Sequence, residues 1–237
     1  MNVYPEFLPA RVRNSAGESR LQSFRSALKD SGLEHIVLDV LPVLHQAKQE
    51  TQVFFKTDTH WNQDGAFIVY QEIMNKLSQW IDGVEPVTRN MLDRAPRLKM
   101  GDIAIADRAT AADIEHSETL KPRNSCAGEH YPRVEAFTET PAYQAKPKSL
   151  PLSNGCASKN NRALVVHDSF GAYMRQFLSE SFEQVIFMRS YDIYGMKSFI
   201  EEFKPDVFID LRAERRFHYL LATDPVMQSE LEAAKVN

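Results

Sequence analysis

Apolar residues recur along this chain at two periods, and the places where one gives way to the other mark its organisation. From Glu18 to Lys29, Leu21, Phe24, Ala27 and Leu28 fall on one stripe of a helix, and Gly32 follows as a C-terminal stop. His35 to Leu41 is instead a short, nearly continuous run of apolar and β-branched residues, which predicts a buried parallel strand ended by Pro42. A stronger helix begins after Asn62, a good N-cap, and carries Ala66, Tyr70, Ile73, Leu77 and Trp80 at spacings of four, three, four and three.

Over residues 83–162 the pattern weakens and prolines gather, which predicts an irregular insertion with a few short elements. A clear rhythm then returns: Ala163 to His167 as strand, Phe170 to Leu178 as helix, Val185 to Met188 as strand, Met196 to Phe203 as helix, Asp206 to Leu211 as strand, and a final helix. Strands alternating with helices give an α/β fold with a mainly parallel central sheet covered on both faces, here read as a single domain over residues 1–237. In such sheets ligand sites lie at the C-terminal ends of strands. Ser169, directly after a strand, has that address, and so does the loop holding Asp58 and His60 if the sheet brings it there.

Composition narrows the classes. With 43% hydrophobic and 25% charged residues the 237-residue chain is ordinary globular material, and a net charge of −4 with scattered Lys and Arg gives no basic field for nucleic acid. No stretch approaches about 18 consecutive apolar residues, and the N-terminus has neither a basic nor an apolar leader region. The chain is therefore either cytoplasmic or one from which a signal or anchor has been removed. Its two cysteines, Cys126 and Cys156, lie in the same irregular stretch. One disulfide between them would close a loop of about 30 residues and stabilise by roughly 3 to 4 kcal/mol. Two free thiols are the alternative, and a zinc site with His116 and His130 is a poorer one, since no Cys-x-x-Cys pair is present.

The candidate chemistry is nucleophilic. A serine hydroxyl needs a neighbouring base, usually His, held in one tautomer by a carboxylate. Ser169 sits in Val165-Val166-His167-Asp168-Ser169-Phe170-Gly171, where its own N–H and those of Phe170 and Gly171 would face the negative charge of a tetrahedral intermediate. Asp58 and His60 are two apart in Thr57-Asp58-Thr59-His60-Trp61, so an extended backbone would project both to one face. Singly, each has a plainer reading: Ser169 as a helix N-cap, His60 as a structural histidine, Asp58 as a turn residue. The conjunction favours chemistry.

The runs Phe55-Lys56-Thr57-Asp58-Thr59-His60-Trp61-Asn62 with Gly65-Ala66, and the later His167-Asp168-Ser169-Phe170-Gly171, resemble the SGNH-hydrolase-like domain of the AlgX and AlgJ alginate O-acetyltransferases. Val3-Tyr4-Pro5-Glu6-Phe7-Leu8-Pro9, Met100-Gly101-Asp102-Ile103 and Asp206 to Arg215 extend the resemblance along most of the chain. It implies a three-layer SGNH-hydrolase-like domain lacking its N-terminal strand, with a triad in permuted order, acid and base before the nucleophile: Asp58, His60 and Ser169. It also implies a periplasmic serine-dependent O-acetyltransferase acting on an exopolysaccharide, with the acetyl donor delivered by a membrane acyltransferase and no cofactor or metal. A carbohydrate O-acetyl esterase with the same triad, and a catalytically inactive polysaccharide-binding or assembly subunit, are the alternatives. One departure is His167, which stands where many members have Gly. Tyr173, Arg189, Arg212 and Lys56 could bind acetyl oxygen or sugar carboxylates, and Trp61 could stack on a sugar, against the plainer readings of surface solvation and core packing.

Overall fold

The computed structural model describes residues 3–14, 17–29, 31–108, 110, 113–128, 152–189 and 197–217. Its N-terminal part is helical: α1 (Ala10–Asn14), α2 (Arg20–Lys29), α3 (Leu41–Ala47) and α4 (Gln63–Leu77). Residues 35–41 do not form the strand that their composition predicts. Glu34–Ile36 is a single 3-10 turn, Ile36 is 56% exposed, and Leu41 opens α3. Pro42 therefore starts a helix rather than ending a strand; in the first turn its fixed φ suits the helix and its missing N–H has no bond to lose. The helix after Asn62 forms as its spacing predicts, with the Asn62 side chain accepting from the Gly65 N–H at 2.9 Å, but it stops at Leu77 and leaves Trp80 half exposed.

The 83–162 stretch is more ordered than its composition suggests. A two-stranded antiparallel ribbon of β1 (Leu92–Lys99) and β2 (Glu115–Pro122) flanks α5 (Asp102–Ala106), and β3 (Leu152–Asn154) joins the main sheet. Then come β4 (Arg162–His167), α6 (Arg175–Leu178), β5 (Gln184–Met188), α7 (Lys197–Phe203) and β6 (Val207–Leu211). The sheet runs β3-β5-β4-β6; β4 is parallel to β5 and β6, and β3 is antiparallel to β5, so the fold is α/β with a mixed, mostly parallel sheet. The segment Phe170–Leu178 is not one helix but a 3-10 turn at Gly171–Tyr173 followed by the four residues of α6. The last helix expected falls outside the described residues.

Alternation along the strands builds the layers. Ala163, Val165, Val185, Phe187, Ile209 and Leu211 face α4 and α6, meeting Ala66, Phe67, Tyr70 and Phe177, whereas Leu164, Val166, Ile186 and Met188 face Phe203 of α7. β4 and β5 are buried on both faces, whereas β6 leaves Phe208 and Asp210 exposed on one side, and the candidate polar groups gather beyond the strand ends.

Candidate active site

The chain from Val53 to Asn62 turns back on itself. Phe54 and Trp61 form an isolated antiparallel bridge, the Phe55 N–H donates to the His60 carbonyl at 3.2 Å, and the Asn62 N–H donates to the Val53 carbonyl at 3.0 Å. Between these bonds the backbone bends, so strand alternation is not what brings Asp58 and His60 together. Asp58 Oδ1 instead accepts from the His60 backbone N–H at 2.9 Å and from His60 Nδ1 at 2.6 Å, an Asx-type turn that fixes carboxylate, ring and backbone as one unit. Across the strand ends, His60 Nε2 lies 2.6 Å from Ser169 Oγ.

Charge assigns the protons along this line. Burial alone would raise the Asp58 carboxyl, but hydrogen bonds from Lys99 and His60 outweigh it and hold the group down at about 2. An ionised carboxylate only accepts, so Nδ1 carries the imidazole proton and Nε2 presents its lone pair to the Ser169 hydroxyl.

Asp58 is held from several sides. Its Oδ2 accepts from Lys99 Nζ at 2.9 Å and from the Asp102 N–H at 3.3 Å. The first turn of α5 closes on the same loop, the Ile103 and Ala104 N–H groups donating to the Thr57 carbonyl at 3.1 and 3.2 Å. Gly101 makes this approach possible, because a Cβ there would overlap the Thr57 carbonyl and lie 2.6 Å from the Asp58 nitrogen. Asp102 in turn accepts from the Thr59 N–H at 2.7 Å and its hydroxyl at 2.6 Å, and Glu115 accepts from the Lys56 and Thr57 N–H groups at 2.9 and 3.0 Å. Composition gave no hint of Lys99, Asp102 or Glu115. The available signal was the Gly101-Asp102 stretch.

The serine turn differs from expectation in one respect. The Phe170 N–H donates to Asp168 Oδ1 at 2.9 Å and the Gly171 N–H to the Asp168 carbonyl at 3.3 Å, so neither is available to an oxyanion in this arrangement. Ser169's own N–H has no partner among the described residues. Asp168, 1% exposed, also accepts from the Ala213 N–H at 2.9 Å and so ties the serine turn to the end of β6. His167 is fully buried, its Nδ1–H donating to the Asp168 carbonyl at 2.6 Å and its Nε2 accepting from Arg175 at 3.2 Å. Burial, with Arg175 and Arg189 nearby, pushes it down to about 4 against the weaker pull of Asp168. Its bulk is accommodated by Gly171, where a Cβ would overlap the His167 side chain.

The remaining predicted residues separate. Tyr173 packs against His60 with ring centres 5.7 Å apart, and its hydroxyl accepts from Lys99 at 3.0 Å. Trp61 is 5% exposed, donates to the Phe170 carbonyl at 3.1 Å and packs edge-on to the Phe170 ring, which leaves no open face for a sugar. Lys56 and Arg189 have exposed side chains, and Arg212, just past β6, pairs with Asp210 of that strand at 2.5 Å. Cys126 and Cys156 form a disulfide with Cα atoms 5.2 Å apart, so neither is a zinc ligand; His116 is on β2 and His130 is outside the described residues. Two concavities, about 640 Å³ beside Arg25 and about 300 Å³ beside Arg175, are lined by none of Asp58, His60 and Ser169.

A mostly parallel, helix-covered sheet with a serine at one strand end and an imidazole against it is the arrangement of the SGNH-hydrolase-like class. The family model described as SGNH hydrolase-like domain, acetyltransferase AlgX, matches residues 1–187, and the chain belongs to that family. Its sequence is 35% identical over 89 residues to the probable alginate O-acetylase AlgJ of Azotobacter vinelandii, a match covering 38% of this chain and 22% of that protein. Two solved structures share the fold. Bacillus cereus PatB1 has a TM-score of 0.58 and 16% identity, covering 90% of this chain and 79% of that one. The O-acetyltransferase domain of Pseudomonas putida AlgJ has a TM-score of 0.52 and 17% identity, covering 98% and 78%.

Proposed function

We propose that this chain is a serine-dependent O-acetyltransferase acting on an exopolysaccharide, with Ser169 as nucleophile, His60 as general base and Asp58 as the group that orients it. The observation that carries the reading is the continuous line Asp58 Oδ1, His60 Nδ1, His60 Nε2, Ser169 Oγ, with 2.6 Å at each hydrogen bond. His60 takes the Ser169 proton as Oγ attacks the donor's acetyl carbon. The tetrahedral oxyanion is met by the Ser169 N–H, and its collapse leaves acetyl-serine while the departing oxygen receives the proton from His60. An acceptor sugar hydroxyl then gives its proton to His60 as it attacks the ester. Collapse restores the Ser169 hydroxyl and releases the acetylated polymer.

The A. vinelandii relative bears the name probable alginate O-acetylase, which supports an anionic exopolysaccharide as acceptor, and a periplasmic setting is proposed with it. The disulfide suits an oxidising compartment, and a membrane acyltransferase is the proposed source of the acetyl group. No helix among the described residues is long and apolar enough to cross a membrane.

The test is intact-protein mass spectrometry after incubation with p-nitrophenyl acetate, with and without an oligouronate acceptor. Acetyl mapped to Ser169, absent in Ser169→Ala and passed to the oligouronate, is the expected result. Release only as acetate makes the chain an esterase with the same triad. No acetylation of Ser169 overturns the reading and leaves a binding or assembly role.

A further inference from the structure

We propose that Lys99 is a positioning residue for the Asp58–His60 pair: its ammonium joins the outer oxygen of Asp58 to the Tyr173 hydroxyl, compensates the carboxylate and so holds the imidazole aligned on Ser169. The inference rests on the reading of His60 as base. Lys99 is the last residue of β1, its side chain is 13% exposed, and it donates to Asp58 Oδ2 at 2.9 Å and to the Tyr173 hydroxyl at 3.0 Å. The ammonium lies 4.6 Å from the centre of the Phe55 ring and 5.6 Å from that of Tyr173, so the two aromatics flank it.

The purpose of a cation at this point follows from charge. A buried, ionised Asp58 with no other counter-charge would favour the extra proton of the imidazolium and so narrow the pH range in which the ring can act as a base. With Lys99 on the other oxygen, the carboxylate is compensated without that proton. The groups facing the pair are Asp102, whose Oδ2 is 3.7 Å from His60 Nδ1, Tyr173, and Glu115, which pairs opposite Lys99 and is engaged by Thr57. Arg215 lies 5.3 Å from Phe170, the ring that packs on His60. Of the cations among these, only Lys99 contacts Asp58. The same bond fixes Tyr173 beside the imidazole, linking the His60 loop, the ribbon and the serine turn through one atom.

The experiment is an NMR titration of the His60 ring in a Ser169→Ala background, which needs no catalysis, alongside the pH profile of p-nitrophenyl acetate turnover in the parent. Lys99→Met and Lys99→Gln are expected to raise the His60 titration and the acid limb of turnover by about one pH unit, roughly a tenfold loss below the limb. Lys99→Arg restores most of it. Gln keeps hydrogen bonds without charge, so it separates compensation from packing. In the parent, the Lys99 ammonium protons should exchange slowly with water. Unshifted titrations in folded Met and Gln variants, or a freely exchanging ammonium, overturn the proposal. Unacetylated Ser169 with a shifted ring would instead sink the nucleophile reading and leave this one standing.

Discussion

Two imidazoles stand on either side of the serine turn, and each has both nitrogens engaged. His60 donates from Nδ1 to the Asp58 carboxylate and offers Nε2 to Ser169; His167 donates from Nδ1 to the Asp168 carbonyl and accepts at Nε2 from Arg175. The tautomer is the same and the partners differ. A carboxylate can stabilise an imidazolium when His60 takes a proton, whereas a neutral carbonyl and a guanidinium cannot do so for His167. The first site therefore has a partner for each protonation state, and the second only for the neutral one. A histidine's role follows from what faces its ring, not from its distance along the chain to the serine.

The largest effect should come from breaking the first site. His60→Ala is expected to lower acetyl-enzyme formation by about 10⁴-fold, with a stability loss of only about 2 kcal/mol from removing a side chain that is 15% exposed and packs on Phe170 and Tyr173. Kinetics with p-nitrophenyl acetate and a thermal melt check both halves. A fall below tenfold would remove His60 from the chemistry. Next in size is Gly101→Ala, whose Cβ overlaps the Thr57 carbonyl and must push α5 away from the Asp58 loop. A stability loss of about 3 kcal/mol, with activity falling further than melting alone explains, is expected from denaturant titration and kinetics.

These two variants also bear on what the sequence made legible. The α4 helix, the three parallel strands and the conjunction of Asp58, His60 and Ser169 were readable because period and residue type agreed there. The 35–41 run misled because three β-branched residues say strand while Pro42 is equally at home in a first helical turn. The ribbon carrying Lys99 was hidden for the opposite reason. β1 contains Pro96 and is largely exposed, so it lacks the apolar alternation that announces a strand, yet it brings Lys99 to the Asp58 carboxylate. The oxyanion donors were misjudged because proximity of an N–H to a serine does not show that it is free, and Asp168 takes two of them.

The second imidazole sets a pH signature. His167 titrates near 6.5 when unfolded and at about 4 when folded, so below pH 6.5 the unfolded chain binds a proton that the native protein refuses. Stability is full above that value and is lost progressively down to about 4, by roughly 3 kcal/mol. The facing groups are Arg175, Arg189 and Asp168. Asp58, lowered to about 2 from 3.8, loses its contribution only in the window beneath. Denaturant midpoints of parent and His167→Gln at pH 7, 5 and 4 should converge as pH falls. A constant gap between them would mean that His167 does not titrate in this window.

The smallest effect expected concerns the residue joining the two loops. Trp61 belongs to the His60 loop, and its indole N–H donates to Phe170, one residue past the serine. Phe170 packs on both Trp61 and His60, with ring centres 5.1 and 4.8 Å away, so the indole holds the aromatic on which the His60 ring rests. Trp61→Phe keeps a ring and removes the donor. The Phe170 carbonyl still accepts from the Tyr173 N–H at 3.3 Å, so it is not orphaned and the cost should be about 1 kcal/mol. Turnover should fall a few-fold through kcat while KM for an oligouronate is unchanged. A platform for sugar would give the reverse, a raised KM at constant kcat and constant stability. That pattern would require the ring to leave its buried place against Phe170 during turnover, and would move Trp61 from the architecture of the base to the binding of the acceptor.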